Sequence, residues 1–262
     1  MEKTIILKFG GASVASPESF SSISDIILNR KIKYENVVVV VSAMGETTNE
    51  LITLAHKVHP NPPKREFDML ISVGERISIS LLAMALAAKN KEAISYTGSQ
   101  SGILTTNENG EAKIVDVRPK RLLSSLKEGK IVIVAGFQGM SIGGDITTLG
   151  RGGSDTTAVA LAVALNAEKV EFFKDVHGIY EEDPKKNPNS KLFQKLNYSE
   201  ALKIVESGAK VLHSRCVHLA QKNNVKLHVL NFHDFERENS GTEIYSENLI
   251  EKSEFKFEGP LA

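Results

Sequence analysis

Val37-Val38-Val39-Val40-Val41-Ser42-Ala43-Met44-Gly45 is the stretch that decides the fold class. Five consecutive β-branched residues are too few for a helix, and they leave no polar face for a strand that meets water on one side. Such a run predicts a central strand of a parallel sheet, covered on both faces. The apolar run stops at Ser42, and a loop at the carboxyl end of the strand is expected there.

Working outward, Thr4 to Phe9 is a second short β-branched run, ending in Gly10-Gly11. Between the two, residues 17–30 carry Phe20, Ile23, Ile26 and Ile27 at helix spacing. Thr47-Thr48-Asn49-Glu50 opens another helix, and residues 65–89 form one long helical pattern broken in tone at Val73-Gly74-Glu75-Arg76. Glycine inside a helix costs roughly 1 kcal/mol against alanine, so Gly74 predicts a close approach by a ligand or a helix. Strands are predicted at 93–96, 131–135, 169–174, 225–231 and 242–245, with a hairpin over 103–106 and 112–115 about Asn109-Gly110. Helices are predicted at 119–127, from Ser154 onward, at 198–206 and at 212–223; residues 175–188 read as a polar loop. Alternating strands and helices predict an α/β fold with a mainly parallel sheet. Residues 1–246 read as one domain with two lobes, dividing near residue 165, and 247–262 as a polar tail.

The chain has 262 residues, with 32 Lys and Arg balanced by 32 Asp and Glu. A nucleic-acid-binding protein ordinarily shows a basic excess, so that class is disfavoured. The single cysteine, Cys216, excludes an internal disulfide and a cysteine-based zinc cluster, and reads as a small core residue. The apolar runs 81–88 and 158–165 are short of the ~18 residues of a membrane span. The sequence-based expectation is a cytoplasmic protein with no membrane or nucleic-acid partner.

Ligands of parallel sheets bind beyond the carboxyl ends of strands. Four such ends carry glycines, hydroxyls or cations: Lys8-Phe9-Gly10-Gly11, Ser42-Ala43-Met44-Gly45, Gly136-Phe137-Gln138-Gly139 and Lys174-Asp175. They join Thr148-Leu149-Gly150-Arg151-Gly152-Gly153-Ser154-Asp155, which leads into an apolar helical run. Glycines there permit left-handed backbone and close approach, a helix start favours an anion, and arginine supplies a planar fork for carboxylate or phosphate. Alternatively, this is a plain loop in which Ser154 or Asp155 caps the helix. The Walker A, dinucleotide and protein-kinase signatures are all absent: Gly129-Lys130 is followed by Ile131, and the third dinucleotide glycine is replaced by Asp155.

Lys8-Phe9-Gly10-Gly11-Ala12-Ser13-Val14 resembles the opening block of aspartokinases. Gly136-Phe137-Gln138-Gly139, Thr148 to Asp155, Asp175-Val176-His177-Gly178-Ile179-Tyr180 and Gly208-Ala209-Lys210-Val211-Leu212-His213 are similar to further blocks in the same order, covering roughly residues 3–246. The resemblance implies a three-layer αβα sandwich of the amino-acid kinase type. It implies transfer of the ATP γ-phosphoryl group to the side-chain carboxylate of L-aspartate, with Mg2+ accompanying ATP through phosphate oxygens and water. Lys8 and Asp155 are the implied catalytic residues. Ser42, Thr48, Glu75, Phe137, Arg151 and Ser154 are implied to bind the amino acid, with Arg151 on its α-carboxylate and Glu75 on its ammonium. Lys8, Gly10, Gly11, Lys174, Asp175, Tyr180, Lys185 and Lys210 are implied to bind the nucleotide; no protein ligand to the metal is named. His177, His213 and His228 read as structural.

Three departures fall on or near the nucleotide side: Lys174 where the family has Thr or Ser, Lys185 where its loop ends in Asp-Pro-Arg, and Ser214 after His213 in place of Pro. The chain also ends about sixteen residues after its last predicted strand, whereas most aspartokinases continue into ACT domains. The expectation is a free-standing catalytic domain insensitive to lysine and threonine and forming a homodimer; a separate regulatory subunit is the alternative. Two other functions stay open. One is another amino-acid kinase of the glutamate 5-kinase, acetylglutamate kinase or uridylate kinase type. The other is a non-catalytic sensor.

Overall fold

The valine run lies in the middle of the principal sheet, between strands on either side. The structure, a computed structural model, describes residues 3–182, 184, 186–209, 211–235, 240–246 and 256–259. β1 (Thr4–Phe9) and β2 (Asn36–Val41) pair in parallel, with Leu7 opposite Val39, and α1 (Ser19–Lys33) makes the crossover. All residues of both strands are buried. The two-residue strand period sends Val37, Val39 and Val41 into one core with Phe20, Ile27 and Leu82, and Val38 and Val40 into a second with Val159 and Ala162.

The chain continues through α2 (Thr47–Val58), α3 (Lys64–Ile71), α4 (Val73–Ala88), β3 (Ala93–Tyr96), β4 (Ile103–Thr105), β5 (Ile114–Val117), α5 (Lys120–Lys127) and β6 (Ile131–Ala135). Next come β7 (Gln138–Ser141), β8 (Ile146–Thr148), α6 (Gly153–Ala164), β9 (Lys169–Lys174), β10 (Ile179–Tyr180) and β11 (Leu192–Phe193). The last described elements are β12 (Lys195–Leu196), α7 (Tyr198–Glu206), α8 (Ser214–Asn223), β13 (Lys226–Asn231) and β14 (Thr242–Ile244). The principal sheet has the order β12-β14-β13-β9-β1-β2-β6-β3. Its six strands from β13 to β3 are parallel; β14 runs against β13, and β12 runs with β14. Side chains of α1 and α4 fill one face, and those of α5, α6, α7 and α8 the other, giving an αβα sandwich. The sheet runs unbroken past residue 165.

The predicted strands at 4–9, 93–96, 131–135 and 169–174 have the observed limits. The long helical pattern is two helices, α3 and α4, and the break falls at Ser72, before Gly74. At Gly74 a Cβ would lie 2.7 Å from the Ala43 Cβ, just past β2, and 3.6 and 3.7 Å from Thr47 and Thr48 of α2. Taken as one run, residues 64–88 are long and apolar enough to cross a membrane. Here they are divided, and Ile79, Leu82 and Leu86 pack into the sheet core.

Several regions exceed what local pattern predicts, among them the two-stranded sheet β10-β11, whose first strand lies in the predicted polar loop. β4 and β5 form the hairpin, with a register shift at Leu104/Thr105, and β7 and β8 extend it into a four-stranded sheet. Residues 256–259 are docked on the body and are no free tail: Phe257 packs against the core, and the Glu258 N–H donates to the Ile114 carbonyl at 2.9 Å. Residues 247–255 and 260–262 lie outside the described residues.

Candidate active site

A cleft of about 320 Å3 opens where β1, β2 and β6 end, walled by the start of α6. Lys8 stands next to the end of β1, on the strand face that looks towards α6. Asp155 is in the first turn of α6. The two meet, Nζ to Oδ1, at 2.6 Å, and both side chains are buried. Lys174, the last residue of β9, reaches the other carboxylate oxygen at 3.3 Å. Oδ1 is satisfied as a charge contact and not as a well-aligned hydrogen bond.

Burial alone would raise the Asp155 carboxyl, but Lys174 and Lys8 outweigh it and hold it at about 2. Asp155 is therefore ionised throughout the neutral range. Burial pushes the Lys8 ammonium below its ordinary value, opposed by Asp155 and reinforced by Lys174. Cys216 lies close by, wholly buried, and burial pushes its thiol up, so it is an inert core residue.

The glycine loop is held from several sides. Gly150 and Gly152 have φ of 70° and 73°, a region that favours glycine. Gly152 is the N-cap of α6, and no side chain caps that helix, so neither Ser154 nor Asp155 serves as a cap. Behind the loop, Asp68 of α3 is fully buried and accepts four hydrogen bonds: from Asn109 Nδ2, Gly110 N, Thr148 N and Thr148 Oγ1, at 2.6–3.0 Å. A non-glycine residue, Phe137, also has φ of 69°. Its N–H donates to Thr157 Oγ1, and Gly136 before it leaves no room for a side chain against Ser154. Strained backbone of this kind persists where the surroundings fix it.

Arg151, at the loop's tip, is exposed and forms no ion pair among the described residues. Across the cleft, Glu75 in the first turn of α4 is 3% exposed. One of its oxygens accepts the Ala43 N–H at 3.2 Å, and the other has no partner among the described residues. Burial lifts this carboxyl to about 8, against the smaller pull of the two backbone donors and Lys8. Among the described residues the cleft thus holds a guanidinium with no ion pair and a half-partnered carboxyl, a pair suited to a zwitterion.

Of the residues singled out from sequence, Lys8, Gly11, Ser42, Thr48, Glu75, Phe137, Arg151, Ser154 and Asp155 line this one cleft. Gly10 lies beside the Lys8 ammonium, and Lys174 joins through Asp155. Asp175 is exposed after β9, and Tyr180 lies in β10; neither lines the cleft. Lys185 and Lys210 lie outside the described residues. Sequence reading missed Asp68, whose only local signal is an acid beside Phe67, Leu70 and Ile71 on a short amphipathic helix. Among the described residues no cluster of three His, Cys, Asp or Glu side chains could hold a metal.

An αβα sandwich whose parallel strand ends gather two lysines, a left-handed glycine loop and a bare helix start belongs to the class that handles anionic, phosphate-bearing ligands. The model of the amino acid kinase family matches residues 3–231, and the chain belongs to that family. It is 50% identical over 226 residues to an aspartokinase of Mycolicibacterium smegmatis, covering 86% of this chain and 54% of that protein. Among solved structures, an aspartate kinase from Synechocystis superposes with a TM-score of 0.81 at 40% identity, covering 94% of this chain and 40% of that one. Aspartokinase III of E. coli in complex with aspartate and ADP superposes with a TM-score of 0.83 at 27% identity, over 94% and 65%. The chain spans about half the length of the curated relatives it matches.

Proposed function

We propose that this chain carries the kinase activity of an aspartate kinase, transferring the ATP γ-phosphoryl group to the side-chain carboxylate of L-aspartate to give 4-phospho-L-aspartate and ADP. The observation that carries this reading is one cleft in which the Lys8–Asp155 pair faces half-partnered Glu75 and an Arg151 that has no ion pair among the described residues. Aspartokinase relatives near 50% identity support it.

The chemistry suits these groups. The acceptor carboxylate is ionised at neutral pH (ordinary value about 3.9) and needs no general base; Asp155, held at about 2, would be a poor one. The difficulty is bringing an anion up to a polyanion, which calls for cations and fixed geometry. A carboxylate oxygen bonds to the γ-phosphorus as the bond to the β–γ bridging oxygen breaks, and ADP departs with that electron pair. Lys8 neutralises charge on the transferring group, and Asp155 fixes the Lys8 and Lys174 ammoniums on either side of itself. Lys174, the family departure, contributes a second cation.

Arg151 takes the α-carboxylate with Thr48, Glu75 takes the ammonium, and Ser42, Phe137 and Ser154 complete the acceptor pocket. Gly10 and Gly11 admit the phosphates, with Asp175, Tyr180, Lys185 and Lys210 assigned to the nucleotide. Mg2+ would enter with ATP as part of the nucleotide substrate and would offset the phosphate charge. The proposed assembly is a homodimer, supported by exposed apolar side chains on α4, Ile77 and Met84; sedimentation velocity checks it. ADP release with hydroxylamine trapping is run on aspartate, glutamate and UMP. Aspartate-dependent turnover with a trapped hydroxamate is expected; turnover with glutamate or UMP alone overturns the assignment.

A further inference from the structure

We infer that Arg215 and Glu258 are positioning residues for the glycine loop, so that the docked segment 256–259 sets the affinity of Arg151 for the acceptor's α-carboxylate. The inference rests on the proposed role of Arg151. Arg215 lies in the first turn of α8, far from the reacting groups in sequence. Its Nη1 donates to the Leu149 carbonyl, immediately before Gly150. Its Nη2 donates to the Ala112 carbonyl at 2.6 Å and to Glu258 Oε2 at 2.8 Å, and its Nε donates to Glu258 Oε1.

Two residues earlier, the His213 ring fills the space behind Gly152, where a Cβ would lie 2.3 Å from His213 Cγ. The His213 ring is itself fixed, with Nδ1 accepting the Arg215 N–H at 3.3 Å. The short segment 213–215 therefore touches the loop on both sides of Arg151, at Leu149 and at Gly152. Arg151 has no ion pair of its own among the described residues, so these contacts, with Asp68 at Thr148, set where its guanidinium can reach.

Glu258 is what aims Arg215; two bonds to Ile114 fix Glu258 itself, and contacts at Lys256 and Phe257 fix the segment around it. Its Oε2 accepts the Ile114 N–H, and its own N–H donates to the Ile114 carbonyl, both at 2.9 Å. Asn223 clasps the Lys256 backbone with two bonds, at 2.8 and 2.7 Å. Phe257 packs against the core between them. The guanidinium and carboxylate are largely buried, where a hydrogen-bonded charge pair keeps its geometry and loss of one partner leaves the other misplaced. A change at 256–259 is thus carried through Glu258 and Arg215 to the Leu149 carbonyl.

The test uses Glu258→Ala, Arg215→Ala, their double variant, and Asn223→Ala, which loosens the segment without touching Arg215. Each single variant should raise KM for aspartate about tenfold, leaving kcat and KM for ATP within about twofold. The double variant should equal either single one, since the two residues act as a unit. Amide exchange over 149–153 in the ligand-free protein should quicken about tenfold. Unchanged aspartate KM together with unchanged exchange overturns the inference. So does an additive double variant, or a fall in apparent kcat with both KM values unchanged, which merely tracks loss of folded protein. Where Arg215→Ala does not fold, Glu258→Gln and Asn223→Ala decide by the same readings. If aspartate proves not to be a substrate at all, the exchange measurement still reports on the buttress, and the two failures are told apart.

Discussion

Replacing Glu75 by glutamine should stabilise the folded protein at neutral and alkaline pH while weakening acceptor binding. The wild-type carboxyl is buried, with one oxygen on the Ala43 N–H and the other unpartnered. Burial lets it keep its proton up to about pH 8, whereas in the unfolded chain the same group titrates near the ordinary value of about 4.3. Between those values the native state holds a proton that the unfolded chain has released, so stability falls as pH rises. The contribution is fully present below about pH 4.3 and is lost as pH passes about 8. At 1.36 kcal/mol per pH unit, that interval amounts to about 5 kcal/mol.

Glutamine carries no such charge, and its amide occupies the same volume. At pH 8 the Glu75→Gln protein should be more stable by up to about 5 kcal/mol, or about 10–20 °C in Tm for a chain of this size. At pH 5 the two proteins should agree within about 1 kcal/mol. Thermal or urea unfolding of both from pH 5 to 8.5 makes the comparison. Parallel curves with no divergence above pH 5 would refute the claim that Glu75 is a destabilised buried carboxyl. The same variant should raise KM for aspartate roughly tenfold or more, since a charge-assisted bond to the ammonium is lost.

Wild-type KM for aspartate should fall about fivefold from pH 7 to pH 8, as the ionised share of Glu75 rises from about 10% to about 50%; a flat profile argues against Glu75 as the ammonium's partner. Lys8→Met should lower kcat by about 10²–10³ with the fold intact by circular dichroism, the usual effect of removing one transition-state donor. Arg151→Ala should raise KM for aspartate roughly 10–100-fold with a smaller change in kcat, as expected for a charge-assisted contact made in ground and transition states alike. Arg30→Met should instead cost about 3 kcal/mol of stability in urea unfolding and spare kcat. It leaves the buried Glu171, 2.6 Å from the Arg30 Nε, with Lys169 at 2.7 Å and the His228 ring at 4.0 Å.

What could be read from the sequence was what local pattern determines. The valines announce a strand buried on both faces because no polar residue interrupts them, and Lys169–Lys174 likewise has its limits written in its own composition. Gln138–Ser141 and Ile146–Thr148 are polar or glycine-bearing segments that become strands only by pairing with β4 and each other, so propensity does not reveal them. The rim of the cleft could be read because glycines mark its strand ends and the start of α6; Thr48 and the roles of the individual side chains are implied by the resemblance to aspartokinases. Asp68 could not, because its four donors come from three residues that lie 41 to 80 positions away in sequence. Glu258 sits in a run that reads as a solvated tail, and only Arg215, brought near by the docking of α8, gives it a purpose.

The central claim is that the side-chain carboxylate of aspartate is the phosphoryl acceptor in the cleft of Lys8, Asp155, Arg151 and Glu75. Aspartate labelled with oxygen-18 in its side-chain carboxylate, incubated with ATP and followed by phosphorus NMR, tests it directly. An acyl-phosphate resonance displaced by one bridging oxygen-18, formed with ADP and absent with Lys8→Met, is the expected result. ADP formation accompanied only by inorganic phosphate, or a phosphorylated product without the isotope displacement, would contradict it.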